Sequence, residues 1–175
     1  MFLSETYTIH DYLQVPKLDG TESIYQISGT TSHSNGEMSG GSSYLTNGFD
    51  NSGDWELTCQ VKFSGNNCAV LLFPPSSTSR DTNEMGVTAY YQNRVIWYNN
   101  GSFSNISGSN MNINTFHELH IVKNGSSLVV SINNATHTVS SWNQTSSASK
   151  LHIGLGSWTT SGNTATIKDI VVKPL

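Results

Sequence analysis

From Trp55 to Phe63 every second residue is apolar: Trp55, Leu57, Cys59, Val61 and Phe63 alternate with Glu56, Thr58, Gln60 and Lys62. A sustained period of two predicts a strand with one buried face in an antiparallel sheet. Cys68 to Phe73 is apolar throughout, which predicts a strand buried on both faces. Pro74-Pro75 ends it, because proline cannot donate to a ladder. Between Phe116 and Val139 the alternation is interrupted twice, at Asn124-Gly125 and at Asn133-Asn134. Asn-Gly between two alternating runs is a strong short-range hairpin signal, since both residues accept positive φ cheaply. A turn centred on Asn124-Gly125 pairs Lys123 with Ser126, Ile121 with Leu128 and Leu119 with Val130. A second turn at Asn133-Asn134-Ala135 then opens a third strand through Val139. The stretch is predicted to be a meander with Leu119, Ile121, Leu128, Val130 and Ile132 on its buried face, and Glu118, His120 and Ser131 on the other.

Elsewhere the pattern is shorter. Gly86 to Tyr91 and Val95 to Tyr98 predict a hairpin across Gln92-Asn93. Leu151, Ile153 and Leu155 alternate, and Thr164 to Lys173 is mostly β-branched. Toward the N-terminus, Thr6 to Ile9 and Ser23 to Ile27 read as strands separated by Pro16 and Asp19-Gly20. Ser28 to Ser43, rich in Gly, Ser, Thr and Asn, reads as loop. No window has a helical period with caps, and no repeat is visible. Short strands recurring about every ten residues predict an all-β sandwich or barrel. The length favours a two-sheet antiparallel jelly roll over a smaller immunoglobulin-like sandwich. Residues 1–43 are expected to supply strands and a loop packing on a main sandwich of residues 44–175, the two together forming one domain.

Composition supports a folded domain of an unusual kind. Ser, Thr, Asn and Gly make up roughly 45% of the 175 residues, far above ordinary usage, while charged residues are only 11%. Aromatic residues reach 10%, and the β-branched residues fall in periodic runs, which disordered chains lack. Eight Lys and Arg against twelve Asp and Glu give a net charge of −4, and the basic residues are scattered. That excludes an electrostatic nucleic-acid footprint. The longest apolar run is too short to span a bilayer. The N-terminal MFLSETYTIH has neither a basic nor a sustained apolar region, so no signal peptide is expected. Cys59 and Cys68 flank a predicted hairpin with the loop Ser64-Gly65-Asn66-Asn67, which sets Cys59 opposite Leu72. That separation predicts two buried free thiols rather than a disulfide.

Taken in order, WELTCQVKF, CAVLLF, EMGVTAYYQNRVIWYNNG, FHELHIVKNGSSLVVSINN and LHIGLGSW…TATIKDIVVKP resemble the concanavalin A-like lectin/glucanase superfamily in its laminin-G-like branch. The resemblance covers residues 44–173 and implies two curved antiparallel sheets packed face to face. Its members include glycan-binding modules, protein-binding modules and glycoside hydrolases, and fold alone does not choose among them. The composition also resembles modules of phage and viral tail proteins. That implies an extracellular or virion-associated setting, with attachment or adhesion as the role.

The chemistry favours binding over catalysis. A glycosidase needs two carboxylates facing each other about 5–9 Å apart. The Glu-x-Asp-x-Glu run of the related glucanases is missing, and Asp54 with Glu56 reads as a solvated strand edge. No nucleophile elbow is present. His117 and His120 point to opposite faces of one strand and cannot share a metal, while His137 and His152 read as surface residues. A calcium ion would suit the family. Asp50, Asn51 and Asp54 in one loop, and Asp81, Asn83 and Glu84 in another, could supply its oxygens, and both clusters also read as turn chemistry. Sugar recognition needs aromatic faces and planar polar groups. Tyr90, Gln92, Arg94 and Tyr98 form an amphipathic set on the 86–98 hairpin. Trp97 is the alternative there, and Trp142 and Trp158 lie in polar loops. The expectation is a non-catalytic module for a glycan or cell-surface polysaccharide. The alternative is a structural or protein-interaction domain of a larger fibre or tail assembly, and a glycoside hydrolase ranks behind both.

Overall fold

The computed structural model describes residues 18, 23–74, 85–90, 94–99, 102–106, 111–139, 148–157 and 162–175; at 25–28, 90, 94–96 and 98–99 it describes the backbone alone. The described residues contain strands and no helix. The strands are β1 (Ile24–Ser34), β2 (Glu37–Leu45), β3 (Phe49–Asp50), β4 (Trp55–Phe63), β5 (Cys68–Phe73), β6 (Met85–Tyr90) and β7 (Arg94–Asn99). They continue with β8 (Ser102–Asn105), β9 (His117–Asn124), β10 (Ser127–Ile132), β11 (Ala135–Val139), β12 (Lys150–Ser157) and β13 (Ala165–Pro174).

One antiparallel path, β11-β10-β9-β4-β13-β2-β12-β5-β6-β7-β8, joins eleven of them, with β1 paired to β2 and β3 to β12. The path curls at β2. Residues 37–40 of β2 pair with β13, whereas Ser43 and Tyr44 pair with β12. The first half of β2 therefore lies in a sheet with β13, β4, β9, β10 and β11 (sheet I), and its second half in a sheet with β12, β5, β6, β7 and β8 (sheet II). Gly40 sits at the change of partner with φ 141°, and a Cβ there would come within 2.2 Å of the Thr30 carbonyl oxygen. Only glycine fits this crossing.

The sheets face each other across a single large core. Leu57, Val61, Leu119, Ile121 and Val130 come to it from sheet I, and Val70, Leu72, Val87, Ile153 and Leu155 from sheet II. The chain is an all-β, two-sheet antiparallel jelly roll, and β4 and β5 have the bounds and burial patterns that their sequences predict.

Several expectations are corrected. Ser28 to Ser43 is not loop but most of β1 and β2, and the boundary expected at 43/44 falls inside β2. Small polar residues form strands here because β2 is flanked on both edges, so its ladder is satisfied without large side chains. β4 and β5 do not form a hairpin: β4 pairs with β9 and β13, β5 with β6 and β12, and residues 64–67 cross between the sheets. Cys59 and Cys68 are nonetheless free and buried. Burial pushes the Cys59 thiol up to about 12 and that of Cys68 to about 11. The β9–β10 register is shifted by two: Asn124 pairs with Ser127, Ile121 with Val130 and Leu119 with Ile132. The turn is thus Gly125-Ser126, with Gly125 at φ 57°. A shift of two preserves the faces, so the predicted buried set survives. Thr6 to Ile9 lies outside the described residues.

Candidate functional site

The β9–β10–β11 meander shows one face to the core and one away from it. The outward set is Glu118 and His120 on β9, Ser131 on β10, and Thr136 on β11. Register brings them together: Ser131 is the Cα partner of both His120 and Thr136. Asn133 and Asn134 join β10 to β11 with φ of 49° and 63°, the two positive values that a type I′ turn requires. Together with Ile132 these residues line a cleft of about 540 Å³, within the range of small-ligand sites.

The cleft is held from behind. His117, on the opposite face of β9, bridges Asn133 Oδ1 (2.8 Å, from Nδ1) and the Asn112 carbonyl oxygen (3.1 Å, from Nε2). The bridge fixes the turn that forms one wall. Across the floor, Ser131 Oγ lies 3.3 Å from Thr136 Oγ1. On the other side His120 Nε2 is 3.4 Å from Glu56 Oε2, and Lys173 Nζ donates to Glu56 Oε1 at 3.2 Å. Lys173 first, then His120, draw the Glu56 carboxyl below its ordinary range against the opposing effect of burial.

The residues singled out on the 86–98 hairpin occupy sheet II. Tyr90 pairs with Arg94, and Tyr98 with Gly86. Gly86 in turn pairs with Leu71, Leu71 with Gly154, and Gly154 with Tyr44. The described part of this outer face is closed: Tyr44, Ala69, Leu71 and Phe73 form a second buried cluster. His152, expected at the surface, is buried there, with Nδ1 2.8 Å from the Leu45 carbonyl oxygen and its ring 5.1 Å from that of Tyr44. Trp97 is corrected from a candidate ligand contact to core: it pairs with Val87 and is 1% exposed, because its register parity turns it to the inner side. Gln92, Trp142 and Trp158 lie outside the described residues, as do Asp81, Asn83 and Glu84.

The first calcium cluster is built differently from the expectation. Asn51 is buried, donates from Nδ2 to the Ala148 carbonyl and accepts from Trp55 Nε1 at 2.9 Å. Asp50 Oδ1 accepts from Ser52 N–H, which lowers its pKa, and Asp54 Oδ1 accepts from Gly125 N–H. The carbonyls of Asn51 and Gly53 receive the Lys123 ammonium at 2.9 and 2.7 Å. A cation already serves this loop, and it belongs to the chain. Among the described residues no group of three or more His, Cys, Asp or Glu converges. The sequence placed Lys123 and the two turn asparagines only in a hairpin register and a turn, and weighed His117 only as a metal ligand, so none of them stood out as part of a site. Consecutive asparagines between alternating strands were their one visible signal.

No family model matches the sequence, and no curated protein matches it. Solved structures do. A putative glycosyl hydrolase from Parabacteroides distasonis ATCC 8503 matches with a TM-score of 0.63 at 12% identity, over 91% of this chain and 98% of that one. The carbohydrate-binding module CBM66 from Bacillus subtilis matches with a TM-score of 0.60 at 16% identity, over 90% and 99%. This chain has the concanavalin A-like lectin/glucanase fold. The exoplasmic/lumenal domain of VIP36, in a form bound to Ca²⁺ and Man3GlcNAc, also shares it, with a TM-score of 0.58 at 13% identity over 87% and 83%. At such identities the likeness concerns the fold, which hosts both binding modules and hydrolases.

Proposed function

We propose that this lectin-like chain is a non-catalytic glycan-binding module whose ligand lies in the cleft of the β9–β11 meander, serving attachment to a polysaccharide at a cell or virion surface. The observation that carries the reading is the lining: a carboxylate, an imidazole, two hydroxyls and two turn amides converge on one ligand-sized cleft. Such groups match the dense hydroxyls of a sugar, and they supply the polar half of sugar recognition without a Trp, Tyr or Phe face among the lining residues. The solved carbohydrate-binding module and lectin domain of the same fold support it. A glycan array followed by titration of Ser131→Ala and Asn134→Ala variants tests the site. Loss of binding in both with unchanged melting is the expected result. Loss only in Tyr90→Ala and Tyr98→Ala would move the site to sheet II, where these tyrosines are the proposed alternative contacts. If the parent protein binds no glycan, the reading fails.

A second reading, a structural piece of a larger fibre, is favoured by β8. All four of its residues are exposed at the edge of sheet II, with Phe103 at 54%. An open edge strand is a template for pairing with another chain. Native mass spectrometry of the parent and of Phe103→Asp tests it: a stable oligomer that the substitution dissolves supports this reading, and a monomer removes it.

A further inference from the structure

Resting on the glycan reading of the cleft, the geometry points to its regulation: we infer that protonation of His117 latches the Asn133-Asn134 wall, so that ligand affinity rises as pH falls. His117 opens β9 on the same side as Leu119 and Ile121, and its ring spans two separate segments. Nδ1 lies 2.8 Å from Asn133 Oδ1 in the β10–β11 turn, and Nε2 lies 3.1 Å from the Asn112 carbonyl oxygen in the loop that leads into β9. Both partners are oxygen acceptors. A neutral imidazole carries one N–H and can donate to one of them, whereas the imidazolium carries two and can donate to both. Each bond from the charged ring is also stronger than its neutral counterpart.

The elements around the ring add few charges. On β4 its Cα partner is Val61, which Ile167 of β13 flanks in turn. Residues 111–116 of the loop hold no charged side chain, and the sheet II residues of the core are apolar. Among the described residues of sheet I, three titratable groups share the ring's side. They are Lys123, whose ammonium ends on the Asn51 and Gly53 carbonyls, His137, the Cα partner of Val130 on β11, and the Cys59 thiol, which burial keeps protonated. Lys62, Glu118 and Lys168 lie on the outer face, where both ammoniums stand over the Phe116 ring. The proton on His117 thus decides whether loop and turn are joined by one hydrogen bond or by two. Asn133 and Asn134 line the cleft, so a doubly held turn offers a preformed wall and less ordering is lost on binding. The coupling is reciprocal: a ligand that favours the latched wall draws a proton onto His117.

The test is an NMR titration of the full chain from about pH 8 to about pH 5.5, a span in which histidines change charge. It is read at the His117 ring and at the amides of residues 133–135, and paired with calorimetry of the strongest arrayed glycan at the two extremes. The turn amides are expected to shift with the midpoint of the His117 ring, and affinity to rise about fivefold toward the acid end. Two substitutions are each expected to flatten both profiles: His117→Gln, which has a single charge state, and Asn133→Gly, which accepts the φ of 49° and removes the acceptor. His120→Gln, inside the cleft, is expected to leave the profile of the turn amides in place. Turn amides that do not follow the His117 ring, or an affinity profile that survives both substitutions, overturn the inference and leave glycan binding standing. A profile lost only in His120→Gln also overturns it, since the imidazole of the cleft itself would then carry the pH dependence. If no arrayed glycan binds at either pH, the underlying glycan reading fails, and the turn amides alone decide the latch.

Discussion

The ammonium of Lys123 donates to the carbonyl oxygen of Gly53 at 2.7 Å, and at 2.9 Å to that of Asn51. Lys123 lies on the buried side of β9 and is 7% exposed. A lysine on a core face is tolerated because its charge ends on two carbonyl oxygens of the 50–54 loop. Lys123→Met keeps the stem and removes the charge. It is expected to cost about 1–3 kcal/mol in urea unfolding, with an unchanged m-value.

The same contact bears on calcium. With an ammonium on these carbonyls, added Ca²⁺ or a chelator is expected to leave the melting temperature within about 1 °C. A rise of several degrees with Ca²⁺ would place an ion elsewhere in the chain, and the proposed Asp81 and Asn83 cluster would be the first to substitute.

Gly125 separates backbone strain from packing. Its φ is 57°, and nothing lies within 4 Å of a Cβ placed there. Gly125→Ala is therefore expected to lose about 1–2 kcal/mol from left-handed strain alone, and Gly125→Asn less, because Asn tolerates this conformation. Equal losses for the two would mean that the Asp54 contact to Gly125 N–H, and not φ, sets the turn.

The Glu56 network makes a pH-dependent contribution. Its carboxyl is drawn below the ordinary value of 4.5, first by Lys173. A depressed carboxyl stabilises the fold fully above that ordinary value and loses the contribution as pH falls through the lowered one. Acid unfolding monitored for the parent and Glu56→Gln should differ at neutral pH and converge at low pH. A constant gap across the range would show that Glu56 acts by packing.

Much of this was legible in the pattern of residues. Wherever large apolar residues alternate, as in β4, or run unbroken, as in β5, burial alone dictates the strand and its faces. Where strands are made of Ser, Gly and Thr, as in β1 and β2, the signal vanishes, because β2 is ordered by ladders from β12 and β13 and β1 by its ladder with β2. Partner choice is equally hidden. Residues 64–67 look like a hairpin loop, yet they pass between sheets, since which strands pair is settled by the whole core. The β9–β10 register slipped by two because parity fixes the face but not the turn, and Asp54, distant in sequence, binds the Gly125 N–H. The cleft was invisible for the same reason. The sequence placed Glu118, His120 and Ser131 only on the face away from the core, and it is the Asn133-Asn134 turn, clamped by His117, that closes this face into a cleft.

The most direct test is an amide-resolved NMR titration of the full chain with the best glycan from the array. Recognition at the meander cleft requires the largest shifts at residues 118–120 and 131–136, and little change at Gly86 or Tyr98. Saturating shifts confined to β6 and β7, or none at all, would contradict it.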